Sequence, residues 1–342
     1  MRIPVPARGF RCARAPESRY LVPSTPNAPP LAPVQGFPTG TLDFTCAYIY
    51  YEGMEARRAQ QIDVVQMLRS KNPSVAAGLP AVVLRGLERI AHQRELRAFL
   101  REVAGCGGCD FVELALKWLA ITVEVEGREH LPPSPRFVVC ANHPTGGIDG
   151  LVLMQLLCRR YGGLLVPAND LLMGLTGLSE LLVPINKYGS NHERFAHLVA
   201  AYESSQPILV FPAGLTARVR GGELREYPWN KAFLKLARRS NRAVVPVGLS
   251  GRNSPRFYAI WKVRRALGIQ LNLEMFLLMD ELIRQRGSTR KIVIAPPMDL
   301  GSSRDDRRLA QQLRRTVEHL SRSERSPIEG RRIGEKERIV CP

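Results

Sequence analysis

From residue 137 to residue 295 the chain alternates short apolar runs with longer runs of helical period, and that alternation constrains the fold more than any other feature. Strand-like runs occupy residues 137–141, 164–167, 181–185, 208–211, 243–249 and 291–295. Helix-like runs occupy 150–160, 192–204, 231–240 and 273–284. Four to seven apolar residues bounded by turns, alternating with helices, predict an α/β fold: a mostly parallel sheet flanked by helices. A small helical subdomain precedes it. Residues 61–101 read as two or three amphipathic helices, marked by Ile62, Val65, Met67 and Leu68, then by Leu84, Leu87, Ile90 and Leu100. Pro73 and Pro80 punctuate them. Residues 111–119 suggest a further helix and 121–125 a strand, and 305–321 form one basic helix.

The expected organisation is therefore residues 1–53 as a disordered or over-extended start, 54–120 as the helical subdomain, 121–300 as the main α/β domain, and 301–342 as basic helix and mobile tail. The first 53 residues are rich in proline and arginine and poor in acids, which opposes both a secretory signal and an amphipathic transit helix.

Composition narrows the partners. The net charge of +18 favours polyanions: nucleic acid, an anionic membrane or an acidic carrier. The charge is scattered, with no zinc-finger spacing, RNA-binding strand signature or basic zipper, so nucleic acid is not expected. No window reaches the ~18–20 charge-free apolar residues of a membrane-crossing helix. The nearest, 164–185, is interrupted by Asn169, Asp170 and Glu180. The 7 cysteines are too irregular for a secreted disulfide framework. Cys106-Gly-Gly-Cys109 has redox or half-zinc spacing, but no second pair completes a metal site, so it reads as a loop with reduced thiols.

Two segments carry chemistry. Residues 142–150 read Asn-His-Pro-Thr-Gly-Gly-Ile-Asp-Gly between a strand-like and a helix-like run. On such a turn His143 and Asp149 can share one hydrogen bond, which fixes the imidazole tautomer and stabilises the cation formed when His143 takes a proton. Asp149 falls in the first helical turn, where the helix dipole favours a carboxylate. Gly146 and Gly147 permit close approach of a substrate to the backbone. The alternative for the turn is a packed, hydrogen-bonded histidine without a catalytic role. Further on, Phe211-Pro212-Ala213-Gly214-Leu215-Thr216-Ala217-Arg218 follows an apolar strand. Backbone amides plus the Arg218 guanidinium there make a candidate anion site.

Together these blocks resemble the glycerolipid (lysophospholipid) acyltransferase family, over roughly residues 60–300. The family's first block is Asn-His-x4-Asp, and here the spacing from His143 to Asp149 is one residue longer. The Pro-Thr-Gly-Gly-Ile-Asp-Gly form resembles a bacterial branch that includes hemolysin-like and ornithine-lipid-type acyltransferases. The third block, Phe-Pro-Glu-Gly-Thr-Arg-Ser, is matched in kind at Phe211, Pro212, Gly214 and Arg218, with Ala213 in place of the glutamate. Glu223 or Glu226 could stand in for it, or be solvated turn carboxylates. Val245-Pro246-Val247 matches the fourth block, and Val183-Pro184-Ile185-Asn186-Lys187 the second, loosely.

The resemblance implies a peripheral membrane acyltransferase at the inner face of the cytoplasmic membrane. It would move a fatty acyl group from an acyl thioester, acyl-CoA or acyl-ACP, to a lysophospholipid or glycerol-phosphate-type acceptor, with His143 as general base and Asp149 supporting it. Asn142, Gly146, Gly147, Lys187, Phe211, Pro212, Gly214 and Arg218 would form the substrate site, with Arg218 and Lys187 on the acceptor's anionic group. No bound cofactor, metal or covalent acyl-enzyme is implied. The alternatives are an N-acyltransferase for an amino-lipid, a hydrolase (opposed by the lack of a Gly-x-Ser-x-Gly elbow) and a non-catalytic basic lipid-binding protein. Two apolar stretches bear on membrane contact. Residues 256–271 would present an aromatic and aliphatic face rimmed by cations, or pack on the sheet. Residues 171–182 would line an acyl groove or fill the core.

Overall fold

The computed structural model describes residues 77–78, 80–168, 172, 174–185, 191–268, 274, 277–298, 300, 305–322 and 337–339. All belong to the unit Ala59–Pro342. The first expected helix, the segment 1–53 and Lys187 lie outside the described residues.

Among the described residues the first named helices are α1 (Ala81–Ile90), α2 (Gln93–Glu102) and α3 (Gly108–Trp118). There follow β1 (Thr122–Glu126), β2 (Phe137–Ala141), α4 (Gly147–Tyr161), β3 (Val166–Ala168), β4 (Leu182–Pro184), α5 (Asn191–Glu203) and β5 (Ile208–Val210). A short hairpin, β6 (Arg218–Arg220) and β7 (Glu223–Arg225), leads to α6 (Ala232–Arg239) and β8 (Ala243–Leu249). The chain closes with α7 (Pro255–Ala266), α8 (Leu278–Arg284), β9 (Thr289–Ile294), α9 (Asp306–Arg322) and β10 (Glu337–Ile339).

The main sheet runs β10-β1-β9-β8-β2-β5. β1–β9, β2–β8 and β2–β5 pair parallel, while β8–β9 and β1–β10 pair antiparallel. This is a mostly parallel sheet with helices on both faces. The central strands β5, β2 and β8 are apolar on both sides because both sides are covered, whereas β1 buries only Val123 and Val125. Along β2, Phe137, Val139 and Ala141 enter the core beneath α2, α3 and α4, while Val138 and Cys140 enter the core beneath α5, α6 and α9. On β8, Val245, Val247 and Leu249 face the first core and Val244 the second. The two-residue period of a strand sorts them. Gly248 leaves room for α9: a Cβ there would sit 2.6 Å from the Leu320 Cβ.

Local signals set the helix ends. Ser254 caps α7, its hydroxyl accepting from the Phe257 N–H at 3.3 Å, with Pro255 in the first turn. Gly162, at φ 74°, ends α4 in the left-handed conformation glycine tolerates best.

Several expectations change. Cys106-Gly-Gly-Cys109 is not a loop of reduced thiols: Cys109 lies in the first turn of α3 and is disulfide-bonded to Cys158 of α4. Within the stretch 273–284 expected to be helical, Leu278–Arg284 is α-helix, and buried Glu274 pairs with Arg218 and Arg264. In the tail expected to be mobile, residues 337–339 pair with β1. The aromatics of α7, Phe257, Tyr258 and Trp261, are buried, so its outward side carries Arg256, Lys262 and Arg265 with Val263 and Leu267. Of the stretch 171–182, Leu178, Leu181 and Leu182 belong to the core.

Candidate active site

Parallel strands β5, β2 and β8 end at one edge of the sheet, where open α/β sheets place ligands. Asn142 follows β2 directly. Its side-chain amide donates to the Leu249 carbonyl at 2.9 Å, and its side-chain oxygen accepts the Leu249 N–H at 2.7 Å. Both amide functions are thus spent on joining β2 to β8 inside the protein. Asn142, expected in the substrate site, makes this contact within the protein.

His143 comes next, its side chain 20% exposed. Its Nδ1 lies 3.1 Å from Asp149 Oδ2. The N–H is not aimed well enough along that line to count as a full hydrogen bond. Asp149 has other donors to serve. Its Oδ2 accepts the N–H of Thr145 and of Gly146, each at 2.8 Å, and its Oδ1 accepts the Thr145 hydroxyl at 2.5 Å. The chain from Thr145 to Asp149 is wrapped around this buried carboxylate, and that wrapping absorbs the extra residue between His143 and Asp149. With Nδ1 facing Asp149, Nε2 is the nitrogen left to accept a proton. The Phe211 ring stands 4.4 Å from the imidazole, tilted by 30°.

The backbone of His143 is gripped by both ends of the β6–β7 hairpin. Ala217 N–H donates to the His143 carbonyl at 2.8 Å, and Glu226 Oε1 accepts the His143 N–H at 3.0 Å. Glu226 Oε2 accepts the Trp229 indole N–H at 3.3 Å. Burial pushes the Glu226 carboxyl up to about 7, against the lowering effect of the His143 N–H bond. Of the two candidate stand-ins for the family glutamate, Glu226 therefore touches the His143–Asp149 turn. Glu223 is exposed and paired with Arg225 at 3.2 Å and Arg322 at 3.7 Å.

Arg218 is not open to solvent. Its guanidinium is 3% exposed, bonds the Thr216 carbonyl at 2.6 Å and the Thr216 hydroxyl, and pairs with buried Glu274 at 3.2 Å. Glu274 also pairs with Arg264 at 2.9 Å. The Phe257 ring lies 4.8 Å beneath Arg218. This placement departs from the free anion ligand expected of Arg218.

The glycines admit the protein itself. At Gly146, φ 105°, a Cβ would meet Leu278 at 3.3 Å and Thr216 at 3.4 Å, and at Gly147 it would meet Leu282 at 3.2 Å. Helix α8 thus seats on the turn. Gly147 opens α4, and the first N–H groups of a helix have no acceptor within it. Pro212 is buried and its carbonyl accepts the Asn230 N–H, while Gly214, φ 65°, closes a tight turn onto the Phe211 carbonyl at 2.9 Å. Among the described residues, no three His, Cys, Asp or Glu side chains are grouped to hold a metal ion.

The α/β fold thus sets a histidine–aspartate turn at the carboxyl edge of its sheet, where such sheets bind ligands. The acyltransferase family model matches residues 66–324, and the chain belongs to that family. It is 40% identical over 239 residues to a lyso-glycine lipid O-acyltransferase of Bacteroides thetaiotaomicron, covering 69% of this chain and 88% of that protein. It is 38% identical over 239 residues to the lyso-glycine lipid O-acyltransferase of Phocaeicola vulgatus, covering 69% and 86%. The crystal structure of the 1-acyl-sn-glycerophosphate acyltransferase PlsC from Thermotoga maritima aligns over 81% of this chain and 92% of that one, at 18% identity and a TM-score of 0.40.

Proposed function

We propose that this enzyme transfers a fatty acyl group from an acyl thioester to the hydroxyl of a lyso-lipid of the glycine-lipid kind. His143 Nε2 takes the hydroxyl proton as the oxygen attacks the thioester carbonyl. The C–O ester bond forms, the C–S bond breaks, and the imidazolium returns the proton to the leaving thiolate. Asp149 holds the ring and stabilises its cationic form. Backbone N–H groups near Gly146 and Gly147, at the helix start, stabilise the oxyanion. The observation that carries this reading is the 3.1 Å His143–Asp149 pair beside Phe211 at the sheet edge. The O-acyltransferase names of both relatives favour a hydroxyl over an amine.

The reaction takes place on an anionic membrane surface. Among the described residues no helix is long and apolar enough to cross a membrane. The outward side of α7 sets Arg256, Lys262 and Arg265 beside exposed Val263 and Leu267, which suits lipid headgroups. The test is a labelled acyl thioester incubated with lyso-glycine lipid. The doubly acylated lipid should form with the native enzyme and not with His143→Ala. Free fatty acid alone would make the enzyme a hydrolase, an N-acylated product would move the chemistry to an amine, and no reaction would leave a lipid-binding protein.

A further inference from the structure

Glu226 has a second neighbour besides the catalytic turn. It forms one wall of a cavity of about 370 Å³ lined by Arg220, Arg225, Arg314 and Arg322 together with Glu223 and Glu318. That volume is in the range of a small-ligand site. Its charges are unevenly matched. Glu223 is shared by Arg225 and Arg322, at 3.2 and 3.7 Å, and Glu318 faces Arg314 at 3.9 Å. Arg220 has no carboxylate partner among the described residues; its guanidinium lies 4.6 Å from the Tyr227 ring centre. Because burial raises Glu226 to about 7, that wall is only partly charged near neutral pH. An anion entering here meets the guanidinium groups of Arg220, Arg225, Arg314 and Arg322, of which Arg314 also donates to the Glu226 carbonyl at 3.4 Å.

The cavity is within reach of the reaction centre. Ala217 is bonded to the His143 carbonyl, and Arg220 lies three residues further along. At ~3.3 Å per strand residue that is about 10 Å. Both candidate donors, acyl-coenzyme A and acyl carrier protein, present the thioester on a phosphopantetheine arm. From sulfur to phosphorus that arm spans about thirteen bonds, roughly 15 Å when extended like a peptide chain. An acceptor lipid fits the cavity poorly, since its lining is charged apart from Pro228. The exposed Arg307, Arg308 and Arg315 of α9 add positive charge on the helix that supplies Arg314 and Arg322.

We propose that the Arg220–Arg225–Arg314–Arg322 cavity binds the phosphate of the donor's phosphopantetheine arm and so sets which way the thioester enters the site. This rests on the acyl-thioester reading above. The experiment measures binding and turnover separately on the full chain. Calorimetry with 4′-phosphopantetheine and with unphosphorylated pantetheine should show that the native protein prefers the phosphorylated form. Arg220→Ala, and independently the exposed Arg322→Ala, should reduce that preference, Arg220→Ala by about tenfold or more. In steady-state assays the donor KM should rise and the acceptor KM stay put. Coenzyme A and carrier-protein donors run as two arms: the native enzyme's kcat/KM on each identifies the donor, and Arg220→Ala should raise the KM for whichever donor it uses. Equal binding of pantetheine with and without phosphate overturns the proposal, as does a change confined to the acceptor KM. A native enzyme that binds phosphopantetheine but transfers no acyl group would instead sink the acyltransfer reading and leave this site standing.

Discussion

Glu226 Oε1 accepts the backbone N–H of His143 at 3.0 Å, linking residues 83 positions apart. A buried carboxylate thereby fixes the main chain of His143, while Asp149 faces its ring. The site has two carboxylates with separate tasks, and only one is visible in a motif.

The first prediction concerns pH. Burial raises the Glu226 carboxyl from its usual 4.5 to about 7. A carboxyl with a raised folded-state pKa supports the fold while protonated, and that support is lost as pH climbs from about 4.5 through about 7. Stability should therefore fall between pH 5 and pH 8, by on the order of 3 kcal/mol from this group alone. Glu226→Gln should flatten the decline. Thermal melts of the two proteins across that range check it, and parallel curves would refute it.

A second prediction separates the members of the His143–Asp149 pair. His143 is partly exposed and serves the fold mainly through its ring contact with Phe211. His143→Ala should abolish turnover, by roughly 10²–10⁴-fold or more, with about 1 kcal/mol lost in stability. Asp149 accepts three hydrogen bonds that shape the turn. Asp149→Asn would set an amide N–H₂ against those donors, so it should lower turnover and also destabilise by about 2 kcal/mol. Paired assays and denaturant titrations decide; equal stability losses would contradict the geometry.

Those contrasting roles mark what the sequence can disclose. The runs 137–141 and 243–249 match β2 and β8 to the residue, because a strand covered on both faces must be apolar throughout. The turn between His143 and Asp149 is legible because both chemistry-bearing residues lie within one short segment. The β6–β7 hairpin is not. Its strands are three residues long and charged, Arg-Val-Arg and Glu-Leu-Arg, and carry no periodic apolar signal. The usable sign is Gly221-Gly222, both at positive φ, the two-residue turn of a tight hairpin. Without that hairpin nothing in the sequence distinguishes Glu226 from Glu223, or shows that Arg218 turns inward to Glu274. The structural contact of Asn142 is hidden for a related reason: its partner, Leu249, stands 107 positions away.

A third prediction follows from that long-range bond. Removing the Asn142 side chain leaves the Leu249 N–H and carbonyl buried and unpaired between two central strands. Each orphaned group costs about 1–3 kcal/mol. Asn142→Ala should destabilise by about 2–4 kcal/mol, and in whatever fraction stays folded the acceptor KM should be near native. A raised acceptor KM at unchanged stability would restore Asn142 to the substrate site.

The last prediction tests Arg218. Its NH1 serves Thr216 and Ala217, its NH2 serves Glu274, and Phe257 covers it. A planar guanidinium satisfies all of these together; a lysine ammonium has one charged point and cannot. Arg218→Lys should therefore loosen the hairpin whose ends hold His143. Removing one side of a buried ion pair is worth about 3–5 kcal/mol, and the substituted ammonium would retain part of the pairing, so a loss of about 2 kcal/mol is expected. The kinetic signature is a lower kcat for every substrate, since the base itself is displaced, with no selective rise in the acceptor KM. Arg218→Met combined with Glu274→Gln removes both charges and should recover much of the stability lost by Arg218→Met alone, because no unpaired carboxylate then remains against the hairpin. Denaturant titrations of these variants, with KM measured separately for donor and acceptor, distinguish the two roles. A selective rise in the acceptor KM at native stability would show that Arg218 swings out of its pair with Glu274 to hold the acceptor.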